Sequence, residues 1–121
     1  MPETRDVIHA YMAAWNEPDE KKRRALLEKA WADDGHYTDP MSDAPGRDAL
    51  VTLIAQFHKQ MPGTSILPAS AIDEHHGRLR FAWKMLAPDG STGMEGIDIG
   101  LLAEDGRLQS ITGFFGPLTA A

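Results

Sequence analysis

Apolar residues recur at helical spacing through the first half of the chain and alternate with polar ones through the second, with the change at Pro62-Gly63. Val7, Ile8, Tyr11, Met12 and Trp15 share one face of a first helix, for which Thr4 is the expected N-cap. Asn16-Glu17-Pro18-Asp19 interrupts that helix and caps a second. In the second, Leu26, Leu27, Ala30 and Trp31 face inward, and Glu20, Lys21, Lys22, Arg23 and Arg24 form a solvated charged face. Asp33-Asp34-Gly35 is expected to end it, His36 to Asp39 to run extended, and Pro40 to Pro45 to form a loop in position to cover a pocket. A third helix opens at Gly46-Arg47-Asp48, carries Leu50, Val51, Leu53, Ile54, Phe57 and Met61 as its apolar set, and stops at Pro62-Gly63.

Alternation then predicts strands at Ser65 to Glu74, Arg78 to Leu86, Thr92 to Glu104 and Leu108 to Phe115. His76-Gly77, Pro88-Asp89-Gly90 and Asp105-Gly106 supply turn chemistry between them, so consecutive strands should be antiparallel neighbours. Helices followed by strands predict an α+β fold, and 121 residues fit a single domain spanning 1–121. In Arg78 to Met85 the bulky apolar side chains share one face and Arg78, Arg80 and Lys84 the other. Gly96 to Leu102 is apolar on both faces, which predicts a strand covered by helices on one side and a partner subunit on the other.

Composition narrows the function classes. A net charge of -6, with 18 acidic against 12 basic residues, argues against a nucleic-acid-binding surface. Cysteine is absent, so nothing marks an oxidising compartment or a thiolate metal site. Neither a signal-peptide pattern at Met1 to Asp6 nor a membrane-spanning apolar run is present, and a cytoplasmic protein without membrane contact is the expectation. His9, His36, His58, His75 and His76 show no metal-ligand spacing, and no glycine-rich phosphate loop is found. Neither a metal nor another cofactor is therefore expected.

The residues with the most chemistry are Asp39, Asp98 and Tyr11. Asp39 precedes a proline, which biases its backbone toward an extended conformation and restricts where its side chain points. Asp98 interrupts an apolar run, where a carboxylate is paired, protonated or exposed at an edge. Abstraction of a proton beside a carbonyl needs a base aimed at carbon and donors aimed at the oxygen where charge develops. Asp39 would be the base, and Tyr11 and a protonated Asp98 the donors. The bland alternatives are a turn aspartate capping backbone amides, a strand aspartate paired with Arg80, Lys84 or Arg107, and a packed helix tyrosine. Trp15, His36, Met41, Phe57, Phe81, Trp83 and Phe115 are the candidate ligand-binding residues, lining a pocket for a small hydrophobic, flat or cyclic molecule. Arg80 shares a face with Arg78 and Lys84, which turns it away from the pocket and argues against an arginine-bridged carboxylate pair.

Trp31-Ala32-Asp33-Asp34, Tyr37-Thr38-Asp39-Pro40, Gly46 to Leu50, Gly96-Ile97-Asp98, Glu104 to Leu108 and Gly113-Phe114-Phe115 occur in an order that resembles the NTF2-like superfamily. That superfamily includes ketosteroid isomerase and SnoaL-like polyketide cyclases, and the resemblance covers nearly the whole chain. It implies a cone of three N-terminal helices on a curved, mostly antiparallel sheet enclosing a pocket, and a homodimer built through the sheet's outer face. Against ketosteroid isomerase, Asp39 falls on the catalytic base and Asp98 on the protonated oxyanion-hole aspartate. Tyr11 falls on the oxyanion-hole tyrosine if the second helix carries a short insertion. Supporting tyrosines of that family fall on Trp31 and Ile54. The function implied is a cofactor-independent isomerase or cyclase of a small hydrophobic carbonyl compound. The alternatives are a non-catalytic ligand-binding module and a small hydrolase or dehydratase.

Overall fold

The structure, a computed structural model, describes residues 2–121. Helix α1 (Thr4–Asn16) buries Val7, Ile8, Tyr11, Met12 and Trp15 along the stripe read from the sequence. Thr4 is its first residue rather than its cap: Glu3 holds the cap position, and the Thr4 hydroxyl donates to Glu74 Oε1 at 2.8 Å. Asp19 caps α2 (Glu20–Ala30) by accepting from the Lys22 amide at 2.9 Å. Arg23 departs from the expected solvated face. It is buried, and its guanidinium donates to the carbonyls of Glu17 and Pro18, closing the turn between α1 and α2. Helix α2 ends at Ala30, earlier than the aspartates suggested, because Trp31 already has extended dihedrals and opens β1 (Trp31–Asp39). The Trp31 carbonyl is taken up by the Arg47 guanidinium at 2.6 and 3.1 Å, which fixes that exit.

The loop expected after Asp39 is a tight hairpin: β2 (Ser42–Pro45) returns antiparallel to β1, pairing Asp39 with Ser42. After α3 (Arg47–Gln60), the single strand expected at Ser65 to Glu74 is two, β3 (Ser65–Pro68) and β4 (Asp73–His75), both paired with β5 (Arg78–Leu86). Pro68 has no N–H to continue the ladder. Across the break the Ala69 amide and the Ser70 hydroxyl bond to Ala82 instead. Strands β6 (Thr92–Leu102) and β7 (Leu108–Phe115) complete a sheet of order β2-β1-β7-β6-β5-β3, antiparallel throughout except where β1 meets β7. The three helices cover one face of this curved sheet, giving the NTF2-like α+β cone.

Trp31, Leu27, Leu50, Ile54, Leu108 and Ile111 are fully buried and fill one end of the cone. The other end is open. On β6 the inward positions are Gly96, Asp98 and Gly100, while Ile97, Ile99 and Leu101 point to the outer face. The glycines are required by close approach. A Cβ on Gly96 would lie 2.3 Å from the Trp83 ring, and one on Gly100 would lie 2.8 Å from Leu79. Large side chains of neighbouring strands thus cross over the glycines, and Asp98 is the one side chain that this part of β6 sends inward. Among the described residues, no helix is long and apolar enough to cross a membrane.

Candidate active site

Opposite the filled end, α1, α3 and the sheet enclose a cavity of about 700 Å³. Asp39, Asp98, Tyr11 and Tyr37 all line it among apolar side chains. Asp39 is the last residue of β1, and Tyr37, two residues earlier, shares its face by the period of two of a strand. The Tyr37 hydroxyl donates to Asp39 Oδ2 at 2.7 Å, and the Met41 amide donates to Oδ1 at 2.8 Å. The carboxylate is thereby held from both sides at the hairpin turn while remaining partly exposed to the cavity.

Asp98 is only 5% exposed. The Trp83 indole N–H donates to its Oδ1 at 3.0 Å. Burial pushes the Asp98 carboxyl up to about 7; the Trp83 N–H opposes this by favouring the anion, and the nearby Asp39 charge adds to it. With Oδ1 accepting from the indole, Oδ2 is the oxygen that carries the proton of the neutral acid. Burial, followed by the Asp98 charge, raises the Tyr11 phenol far above its ordinary value. Burial and the hydrogen bond to Asp39 do the same for Tyr37. Both phenols keep their protons at neutral pH, but the proton of Tyr37 is committed to Asp39.

Gly113 brings the two carboxylates together. It pairs with Asp98 across β6 and β7, and lies one residue beyond the Thr38–Thr112 pair of β1 and β7. A Cβ there would sit 3.1 Å from Asp98 Oδ1 and 3.4 Å from the Asp39 Cβ. The missing side chain leaves the space between the carboxyl groups open. Gly113→Ala is expected to destabilise the fold by about 1–3 kcal/mol, as overpacking does, and to move the Asp98 titration. Urea unfolding and carboxyl NMR would read both effects.

Comparison with solved structures places the chain in a family. A candidate isomerase of the SnoaL-like family from Agrobacterium tumefaciens superposes with a TM-score of 0.87 and is 32% identical, over 92% of this chain and 95% of that one. The chain belongs to the SnoaL-like family. A candidate polyketide cyclase from Sinorhizobium meliloti shares the fold at 15% identity and a TM-score of 0.71, over 93% of this chain and 94% of that one. An NTF2-like protein of unknown function from Cytophaga hutchinsonii does so at 15% identity and 0.70, over 97% and 93%. No protein-family model matches the chain, and neither does any curated protein.

Within this SnoaL-like cone the structure brings Asp39, Asp98 and Tyr11 to one cavity, and places Trp15, Met41, Phe57, Trp83 and Phe115 on its wall. Trp15 packs against both Tyr37 and Phe57, at ring-centroid distances of 5.5 and 5.6 Å. Two expected lining residues lie elsewhere. His36 is on the outer face of β1, where its Nε2 pairs with Asp43 Oδ1, because strand alternation sends Tyr37 inward and His36 outward. Phe81 faces the helices but is closed off from this cavity, and lines a separate depression beside α1. Arg80 points outward as expected, paired with Asp73 at 2.9 Å. Among the described residues no three His, Asp or Glu side chains group as metal ligands. Sequence reasoning missed Tyr37 as a partner of Asp39, although Tyr-x-Asp on a strand puts both on one face. It also missed Met12, Met61 and Met85, which line the cavity together with Met41 and Met94.

Proposed function

We propose that this SnoaL-like protein is a cofactor-independent isomerase or cyclase of a small hydrophobic carbonyl compound, working by proton transfer at the carbon next to the carbonyl. The observation that carries the reading is the pair Asp39 and Asp98, facing one space across Gly113 with Asp98 buried and Asp39 half-buried. Asp39 takes the proton, the C–H electron pair moves into the new carbon–carbon double bond, and negative charge collects on the carbonyl oxygen. Neutral Asp98 and Tyr11 donate hydrogen bonds to that oxygen, in surroundings where such bonds are strong. Asp39 then returns the proton to another carbon for isomerisation, or the enolate carbon attacks a second carbonyl for cyclisation, with the proton ending on the new alkoxide. Five methionines together with Trp15, Phe57, Trp83 and Phe115 give the ligand an apolar, adaptable enclosure.

A titration with 2-naphthol, whose ionised form mimics an enolate, tests the reading. The expected result is binding with partial ionisation of the bound naphthol, seen by fluorescence, and a loss of affinity of tenfold or more in Asp98→Ala. Absence of binding by either protein would favour the second reading, a non-catalytic ligand-binding module. That reading draws on a specific feature, since both oxygens of Asp39 already accept a hydrogen bond.

Homodimerisation through the outer sheet face is part of the proposal. Ile97, Ile99 and Leu101 on β6 and Phe114 on β7 are 39–56% exposed there and adjacent in register, with Ile97 opposite Phe114. Sedimentation should show a dimer, with Ile99→Lys weakening it at least tenfold; a monomeric wild type at micromolar concentration would remove this part.

A further inference from the structure

The cavity has a neighbour across α1. A second depression of about 830 Å³ runs between α1 and the segment from β3 to β4, with Ile8, Ala13, Leu26, Ile72 and Phe81 among its lining. Met12 and Ile66 line both spaces, so one layer of side chains divides them. The two halves of that wall differ. Ile66 is tied down: its amide donates to Asn16 Oδ1 and its carbonyl accepts from Asn16 Nδ2, each at 2.7 Å. Its branched side chain also has little freedom at χ1. Met12 has an unbranched thioether side chain with three rotatable bonds, the kind that repacks around a guest. A fixed post therefore stands beside a side chain able to swing.

We propose that the second depression receives an unbranched alkyl tail of the same ligand whose carbonyl head lies between Asp39 and Asp98, and that Met12 is the specificity-determining residue that admits the tail. The inference rests on the carbonyl reading of the first cavity. The ligand class follows from the wall: a straight chain passes a rotated thioether, whereas a chain branched beside the head meets Ile66, which Asn16 prevents from moving. Leu26, Ile72 and Phe81 give the space beyond an aliphatic and aromatic floor, while of its polar lining residues Arg5, His9 and Ser70 are exposed and Asn16 and Glu17 half-buried. Each methylene that leaves water there should strengthen binding by about fourfold.

Titration of the whole protein with a series of 4-alkylphenols, followed by tryptophan emission, tests this. Wild type should gain about two- to fourfold per methylene from butyl to octyl, and a branched octyl isomer should gain far less. Met12→Phe, which thickens the wall, and Ala71→Trp, which fills the second depression from an exposed position, should each collapse the ratio of octyl to ethyl affinity at least tenfold. The second variant keeps the test valid if the first perturbs folding. An octyl-to-ethyl ratio unchanged in both variants, or a wild-type gain that stops at ethyl, overturns the tail site while leaving the carbonyl reading intact. Failure of any phenol to bind overturns both.

Discussion

Replacing Asp39 by Asn should slow proton–deuterium exchange at the carbon beside the carbonyl of a bound cyclic ketone by about 10²- to 10⁴-fold, the usual contribution of a positioned general base. The substitution keeps shape and most contacts. The new side-chain carbonyl oxygen can still accept from the Met41 amide, and the Tyr37 hydroxyl can turn to accept from the side-chain amide that replaces Oδ2. Folding and ligand affinity should therefore change little, and the lost quantity is basicity. Exchange followed by NMR with a panel of small cyclic and aryl ketones separates the two, since a rate loss at saturating ketone is a chemical effect and a weaker half-saturation is a binding effect. Exchange in the Asp39→Asn variant equal to that in wild type would remove Asp39 as the base.

Asp98→Asn should make the protein more stable at pH 8, by about 2–4 kcal/mol, and the advantage should vanish toward pH 4. The sign follows from linkage. The Asp98 carboxyl moves from 3.8 to about 7 on folding, so between those values the native state holds a proton that the unfolded state has released. The Asp98 contribution to wild-type stability then falls as pH rises from about 4 to 7 and is level above that, by roughly 4 kcal/mol at 1.36 kcal/mol per pKa unit. An amide in the same place carries no charge to desolvate and can still accept from Trp83, so it escapes that decline. Urea midpoints at pH 5 and pH 8 give the comparison. Parallel pH dependence in the two proteins would mean that the Asp98 charge is solvated in the native state. A stability gain on removing a titrating group is what a site held for chemistry rather than for folding should show.

How much of this was legible in the sequence varied with the range of the interaction that decides it. Helical stripes such as Val7-Ile8-Tyr11-Met12-Trp15 and the alternation from Arg78 to Met85 record burial directly, and the structure reproduces both. Junctions were less legible. Trp31 carries the same apolar signal in a helix as in a strand, and its exit is held by partners distant in sequence, the Arg47 guanidinium on its carbonyl and Leu108 beside it on β7. Arg23 looked like one member of a charged run because nothing local shows that the carbonyls of Glu17 and Pro18 need its donors.

The pocket face of Asp98 was open in the sequence, since Ile97, Ile99 and Leu101 are as apolar as any core residue. The deciding signal was the glycine pair. Gly96 and Gly100 share the face of Asp98 and leave room for Trp83 and Leu79, whereas the isoleucines have exposed outer positions. Register between β1 and β7 could not be read, because the parallel pairing joins strands separated by most of the chain and carries a shift between Trp31 and His36. That register puts Gly113 between the carboxylates. The same period of two that set Tyr37 beside Asp39 also sent His36 to the far side of the strand.

The most direct test of the central claim, an Asp98 carboxyl beside Asp39 that still holds its proton as neutral pH is approached, is the carboxyl carbon resonance of Asp98 followed by NMR between pH 4 and 9 in protein labelled at aspartate and assigned with Asp98→Asn. A resonance that titrates near pH 7 and moves higher in Trp83→Phe, where the indole donor is gone, is the expected result. A resonance already at the ionised position at pH 5 would contradict it, because an Asp98 that is charged under working conditions has no proton to offer an enolate oxygen.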